Sequence, residues 1–135
     1  MATALRPLRV LVADNEHVIA DSLATILRKH GFESASVYGG YSAMETAFAW
    51  VPDVIISDIR MPEVNGVDAV LSMARRLPNT KFLSFSGQSN GSLSRTLERG
   101  LKFVFLEKPV QPQSVVEYLK RCEAELNAER EAASA

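Results

Sequence analysis

Short apolar runs alternate along this chain with stretches whose apolar residues recur at helical spacing. Val10-Leu11-Val12-Ala13 is a compact run that ends at Asp14 and reads as a buried strand. Ile19, Leu23, Ile26 and Leu27 follow on one helical face, and His30-Gly31 supplies a stop. Phe32 to Val37 is a weaker second strand, and Tyr38-Gly39-Gly40 a turn. Ser42 with Glu45 has the pattern of a capping box for a second helix, whose apolar face is Met44, Ala47, Phe48 and Val51, closed by Pro52. Val54 to Ser57 is the third strand. Val67, Val70, Leu71 and Ala74 mark a third helix that stops before Pro78, and Phe82 to Phe85 is the fourth strand. A fourth helix rests on Leu93 and Leu97 and ends at Gly100. Phe103 to Leu106 is the fifth strand, and Val115, Leu119, Cys122 and Leu126 share one face of a last helix.

Five strands thus alternate with five helices over short connections. The strands are apolar throughout and do not alternate with polar positions. That pattern belongs to a parallel sheet covered by helices on both faces, an α/β doubly wound architecture. In such sheets ligands bind outside the carboxyl ends of the strands. Asp14, Asp58, Ser86 and Lys108 all follow strand ends on that edge.

The 135 residues suit one domain, and 47% hydrophobic with 23% charged residues is an ordinary globular composition. A net charge of -1 gives no general electrostatic hold on nucleic acid or anionic lipid, so neither direct nucleic-acid binding nor membrane association is expected. No apolar run approaches the ~18 residues of a membrane span. Met1 to Arg9 has no apolar segment of a secretory signal, so the cytoplasm is the expected compartment. The single cysteine, Cys122, precludes an intrachain disulfide and falls on the apolar helix face as a small buried hydrophobe. The Ala- and Glu-rich stretch from Asn127 to Ala135 is expected to fray.

Asp58 carries the most chemistry. A carboxylate at the end of a buried strand needs partners, and the other strand ends offer them: Asp14-Asn15-Glu16, Ser86, and Lys108 before Pro109. Asp14, Asn15 and Asp58 are hard oxygen donors suited to magnesium. Aspartate also forms acyl phosphates, and Lys108 and Ser86 suit the phosphoryl oxygens as a point charge and a hydrogen-bond donor. Each residue alone has a plainer reading. Asp14 suits a helix N-cap, Ser86-Gly87 and Asn65-Gly66 suit turns, and Lys108 suits a solvated surface. His17 and His30, thirteen residues apart, read as helix-surface residues, Trp50 as core or rim, and Arg75-Arg76 as a solvated helix end. It is the joint pattern that favours a site for a divalent metal and a phosphoryl group.

The motifs Val10-Leu11-Val12-Ala13-Asp14-Asn15-Glu16, Asp58 with Met61-Pro62 and Gly66, Ser86-Gly87 and Lys108-Pro109 closely resemble those of the receiver domain of two-component response regulators, from about Arg9 to Leu126. The resemblance implies a flavodoxin-like (βα)5 fold of strand order 2-1-3-4-5. It divides the chain into an extension at 1–8, a receiver domain at 9–126 and a flexible tail at 127–135. It implies a stand-alone, chemotaxis-receiver-like switch that takes a phosphoryl group on Asp58 from a sensor histidine kinase or phosphotransfer protein. The reaction would depend on Mg2+ or Mn2+ held by Asp14, Asn15, Asp58 and the backbone carbonyl of Arg60. Ser86 and Lys108 would hold the phosphoryl group, the Lys108-Pro109 bond would be cis, and Ser86 with Phe105 would form the switch pair. The face of the fourth helix, fifth strand and last helix would meet a downstream protein or, on phosphorylation, a second copy. Such a domain is not a turnover enzyme; its chemistry is autocatalytic phosphorylation and dephosphorylation. Arg60 and Gln88 flank the pocket at positions suited to tuning hydrolysis of the acyl phosphate.

Two departures stand out. Asn15 takes the place of a second acid, which predicts weaker metal binding, and Phe105 lacks the hydroxyl of the frequent tyrosine. Asn15 also favours an alternative, a receiver-like interaction module that works without phosphorylation. A phosphatase with an aspartate nucleophile is disfavoured by Arg60, where a second acid is wanted. A flavin site is disfavoured because Asp14-Asn15-Glu16 would repel the phosphate.

Overall fold

A computed structural model of the protein describes residues 6–58, 66–86, 103–107 and 111–134. The strands are β1 (Arg9–Ala13), β2 (Glu33–Val37), β3 (Val54–Asp58), β4 (Lys81–Ser86) and β5 (Phe103–Glu107). The helices are α1 (His17–Lys29), α2 (Gly40–Trp50), α3 (Gly66–Arg76) and a C-terminal helix (Pro112–Ser134). All strands are parallel, in the order β2-β1-β3-β4-β5. This is the flavodoxin-like order the resemblance implied. The helix expected around Leu93 and Leu97 lies outside the described residues.

Continuous apolar strands arise because both faces of the sheet are covered. Val10, Val12, Val54, Ile56 and Leu83 face one core with Leu23 and Leu27 of α1 and Val115, Leu119 and Cys122 of the C-terminal helix. Leu11, Ile55 and Phe82 face the other, with Ala47 of α2 and Met73, Ala74 and Leu77 at α3. Each such aliphatic side chain stabilises the fold by about 1.5–3 kcal/mol on burial.

Several local expectations give way to packing. Ile19 is 41% exposed, because the buried face of α1 runs through Ala20, Leu23, Ala24 and Leu27. The capping box is not used: α2 begins at Gly40 behind an extended Gly39, with no side-chain cap. Val51 does not join the apolar face of α2. It ends the helix in the left-handed region, φ 52°, and is half exposed. Gly31, φ 91°, ends α1 as its sequence position suggests.

The stretch from Asn127, expected to fray, is helical as far as Ser134. Asn127 and Arg130 are partly buried, and Arg130 reaches Asp53 at 3.5 Å. On the N-terminal side Leu8 is a core residue, and its amide donates to Glu123 at 3.2 Å. The segments flanking the strands and helices of the core therefore close its amino edge. No described helix is long and apolar enough to cross a membrane.

Candidate functional site at the carboxyl edge of the sheet

Register places the site. Ala13 lies opposite Ser57, so the next residues, Asp14 and Asp58, leave neighbouring strands side by side. Asp58 pairs with Phe85, which puts Ser86 one step further along β4, and Ser86 pairs with Glu107 on β5. Neighbouring strands lie ~4.8 Å apart. The central strand β3 thus presents Asp58 between the ends of β1 and β4, and Phe105 lies within β5, opposite Ser84. Arg60, Lys108 and Pro109 lie outside the described residues, as do Met61-Pro62, Gly87 and Gln88.

The acidic loop between β1 and α1 is well held. Asp14 is 3% exposed. Its amide donates to the Val37 carbonyl at 3.1 Å, and its Oδ1 accepts the Glu16 amide at 2.9 Å. The N-cap of α1 is Glu16, not Asp14, so the simple capping reading of Asp14 does not hold. Asp14 instead turns the chain into the helix with its carboxylate nearly removed from water. A carboxylate so placed is costly unless it is hydrogen-bonded or faces a cation. Asn15 and Glu16 beside it are exposed. By residue type, Asp14 and Asn15 on this loop and Asp58 at the end of the adjoining strand offer the hard oxygens that Mg2+ favours.

Behind this edge the sheet is unexpectedly polar. Ser57 and Ser84 pair across β3 and β4 and are both buried, and among the described residues the Ser84 hydroxyl has no hydrogen-bond partner. At its corner stands a group that periodicity could not disclose. Asp21 Oδ1 accepts hydrogen bonds from Tyr38 at 2.6 Å and Ser36 at 2.7 Å, and the Tyr38 ring stacks on His17 at 3.8 Å. The Tyr38 and Ser36 hydroxyls hold the Asp21 carboxyl below its ordinary range, and Asp21 in turn pushes the Tyr38 phenol up. His17 and His30 are exposed, as expected of helix-surface residues.

Comparison with known proteins agrees with this geometry. Residues 10–120 match the response regulator receiver domain family. The chemotaxis protein CheY of Thermotoga maritima is 34% identical over 115 residues, covering 84% of this chain and 95% of that protein. The transcriptional regulatory protein PdtaR of Mycobacterium tuberculosis is 40% identical over 76 residues, 56% of this chain and 37% of that longer protein. A CheY-like receiver domain protein from Methanospirillum hungatei shares the fold with a TM-score of 0.82 at 22% identity, over 91% of this chain and 98% of that one. Receiver domains are signalling domains rather than ordinary enzymes, typically bind Mg2+, and interact with histidine kinases and downstream targets. On its match over residues 10–120 and its sheet order, the chain belongs to the response regulator receiver domains, whose signalling depends on phosphorylation.

Proposed function

We propose that Asp58 is the phosphoacceptor and that this receiver domain works as a switch driven by a histidine kinase or phosphotransfer protein. The observation that carries this reading is the strand register, which sets Asp14 beside Asp58 and Ser86 one step beyond it at a single edge. An Asp58 carboxylate oxygen attacks the phosphorus of a phosphohistidine. The P–N bond breaks, its electron pair returns to the imidazole, and an acyl phosphate forms on Asp58. Asp14, Asn15, Asp58 and the Arg60 carbonyl hold Mg2+ or Mn2+, which when bound offsets repulsion between the carboxylate and the anionic phosphoryl group. Ser86 donates to a phosphoryl oxygen and Lys108 supplies a mobile positive charge to the others. The Lys108-Pro109 bond would be cis in this reading.

The acyl phosphate carries about -1.5 to -2 charges in place of the single negative charge of the carboxylate, a net gain of about one at this edge. Ser86 and Phe105 then relay the change to the face built from the segment after β4, β5 and the C-terminal helix. That face meets a protein target or a second copy, with no direct contact to nucleic acid. Return to the resting state is autocatalytic hydrolysis of the acyl phosphate, at a rate tuned by Arg60 and Gln88.

The test is intact mass after incubation with acetyl phosphate, with and without Mg2+, on wild type and Asp58→Asn. A Mg2+-dependent gain of one phosphoryl group, absent in the variant, supports the reading. No gain at saturating Mg2+, and none with a histidine kinase donor, would favour the phosphorylation-independent module suggested by Asn15.

A further inference from the structure

We propose that Tyr38 is a positioning residue for the divalent metal, acting by holding the acidic loop from both of its ends. The inference rests on the metal reading of Asp14 and Asn15 given above. The loop from Asp14 to Glu16 has two anchorages. On the sheet side, the Asp14 amide is hydrogen-bonded to Val37, the last residue of β2. On the helix side, the Glu16 carbonyl accepts the Ala20 amide at 3.1 Å as the first turn of α1 closes. The distance between these anchorages sets where Asp14 and Asn15 stand.

Tyr38 spans that gap. It follows Val37 directly, so its backbone moves with the acceptor of the Asp14 amide. Its ring lies on His17, the first residue of α1, at 3.8 Å and an interplanar angle of 20°. Its hydroxyl donates to Asp21, one turn further along the same helix, at 2.6 Å. Ser36 of β2 donates to the same oxygen at 2.7 Å, which fixes the carboxylate that receives the phenol. One side chain thereby ties the end of β2 to the first turn of α1, across the two sides of the metal-binding loop. The contacts are exposed, so their worth lies in geometry more than in stability. Metal sites respond sharply to such support: partners that orient ligands directly cost ~10–100-fold in affinity when removed. Tyr38 acts one step further away, through backbone, and a smaller response follows.

Binding of Mn2+ alone, followed by the loss of the free-ion paramagnetic resonance signal, reads the site without any phosphorylation. Tyr38→Phe keeps the ring on His17 and removes the hydroxyl, and is expected to weaken Mn2+ binding about threefold. Tyr38→Ala removes both contacts and weakens it about sixfold. Asp21→Ala falls between them. In each variant the Asp14 amide exchanges with solvent deuterium faster than in wild type. Asp53→Ala, altered at the opposite edge of the sheet, keeps wild-type Mn2+ binding. Unchanged binding in Tyr38→Phe and Tyr38→Ala overturns the inference, and so does an equal loss in Asp53→Ala. Asp14→Ala is the check on the underlying site: if it binds Mn2+ as wild type does, the metal reading itself fails, and the role of Tyr38 with it.

Discussion

Arg6 and Asp53 form a two-point ion pair, 3.1 Å at each contact, at the edge of the sheet opposite to Asp58. The Asp53 carboxylate also accepts the Arg9 amide at 2.9 Å and lies 3.5 Å from Arg130. Its side chain is only 12% exposed. The segment before β1, the start of β3 and the last turns of the C-terminal helix therefore converge on one group. Asp53→Ala leaves two guanidinium groups and an amide short of their acceptor. We expect a loss of about 2 kcal/mol, the order of one or two hydrogen bonds to a charged group. Urea unfolding measures it. Phosphorylation at the far edge is expected to survive in the folded variant.

Val51 is a β-branched residue in the left-handed region, where the side chain meets the backbone. It is half exposed, so little packing compensates. Val51→Gly relieves ~1–2 kcal/mol of strain and gives back part of it through the freer unfolded chain. A net gain of about 0.5–1 kcal/mol should appear as a higher thermal midpoint. A fall in the midpoint would show that the Val51 side chain contributes packing that outweighs its strain.

Asn15→Asp restores a formal charge next to buried Asp14 and strand-end Asp58. The variant should bind Mg2+ about tenfold more tightly, well under the ~4 kcal/mol of two unit charges at ~4 Å and an effective dielectric of 20, because Asn15 is exposed and screened. Calorimetric titration decides it, and equal affinity in the two proteins would remove Asn15 from the donor set.

The Asp21 carboxyl is held below its ordinary value of 3.8, chiefly by the Tyr38 hydroxyl and then by Ser36. A depressed folded-state pKa adds stability above the unfolded value, and this is lost as pH falls through the folded one. The Asp21 contribution is thus present at neutral pH and fades below about pH 4. Asp21→Asn should flatten the acid limb of the stability profile there and leave its shape between pH 6 and 8 unchanged.

Cys122 is 4% exposed in the core under the C-terminal helix, and burial pushes its thiol up. Both access and ionisation oppose reaction. A disulfide exchange reagent at pH 8 should modify the native protein on the order of a hundredfold more slowly than the urea-unfolded chain. Equal rates would place the C-terminal helix among the readily opened parts of the fold.

Much of this protein was legible in its sequence. The runs Val10 to Ala13 and Val54 to Ser57 read as strands buried on both faces, and the spacing of Ile19, Leu23, Ile26 and Leu27 as one face of a covering helix. Asp14, Asp58 and Ser86 stood out because polar residues directly after such runs must lie at one edge of a parallel sheet. What escaped is instructive. Ile19 and Val51 fit apolar helical faces by spacing, yet both are exposed, since spacing does not say where the core stops. The Ala- and Glu-rich tail had the composition of a frayed end, but Arg130 finds Asp53, 77 residues earlier in the chain.

The alternation of apolar runs and amphipathic stretches is local, and by itself it determined the α/β class, the parallel sheet and the edge at which the chemistry lies. The strand order followed from the resemblance of the motifs to a known family. Only the tertiary structure decided which distant residues meet. Tyr38 on Asp21 and His17, Arg6 on Asp53, and Ser57 opposite Ser84 are pairings set by how α1 lies on β2 and how the strands align. No periodicity encodes such pairings, because hydrogen bonds and ion pairs between elements depend on separations of a few ångströms that arise only once the cores on the two faces of the sheet have packed.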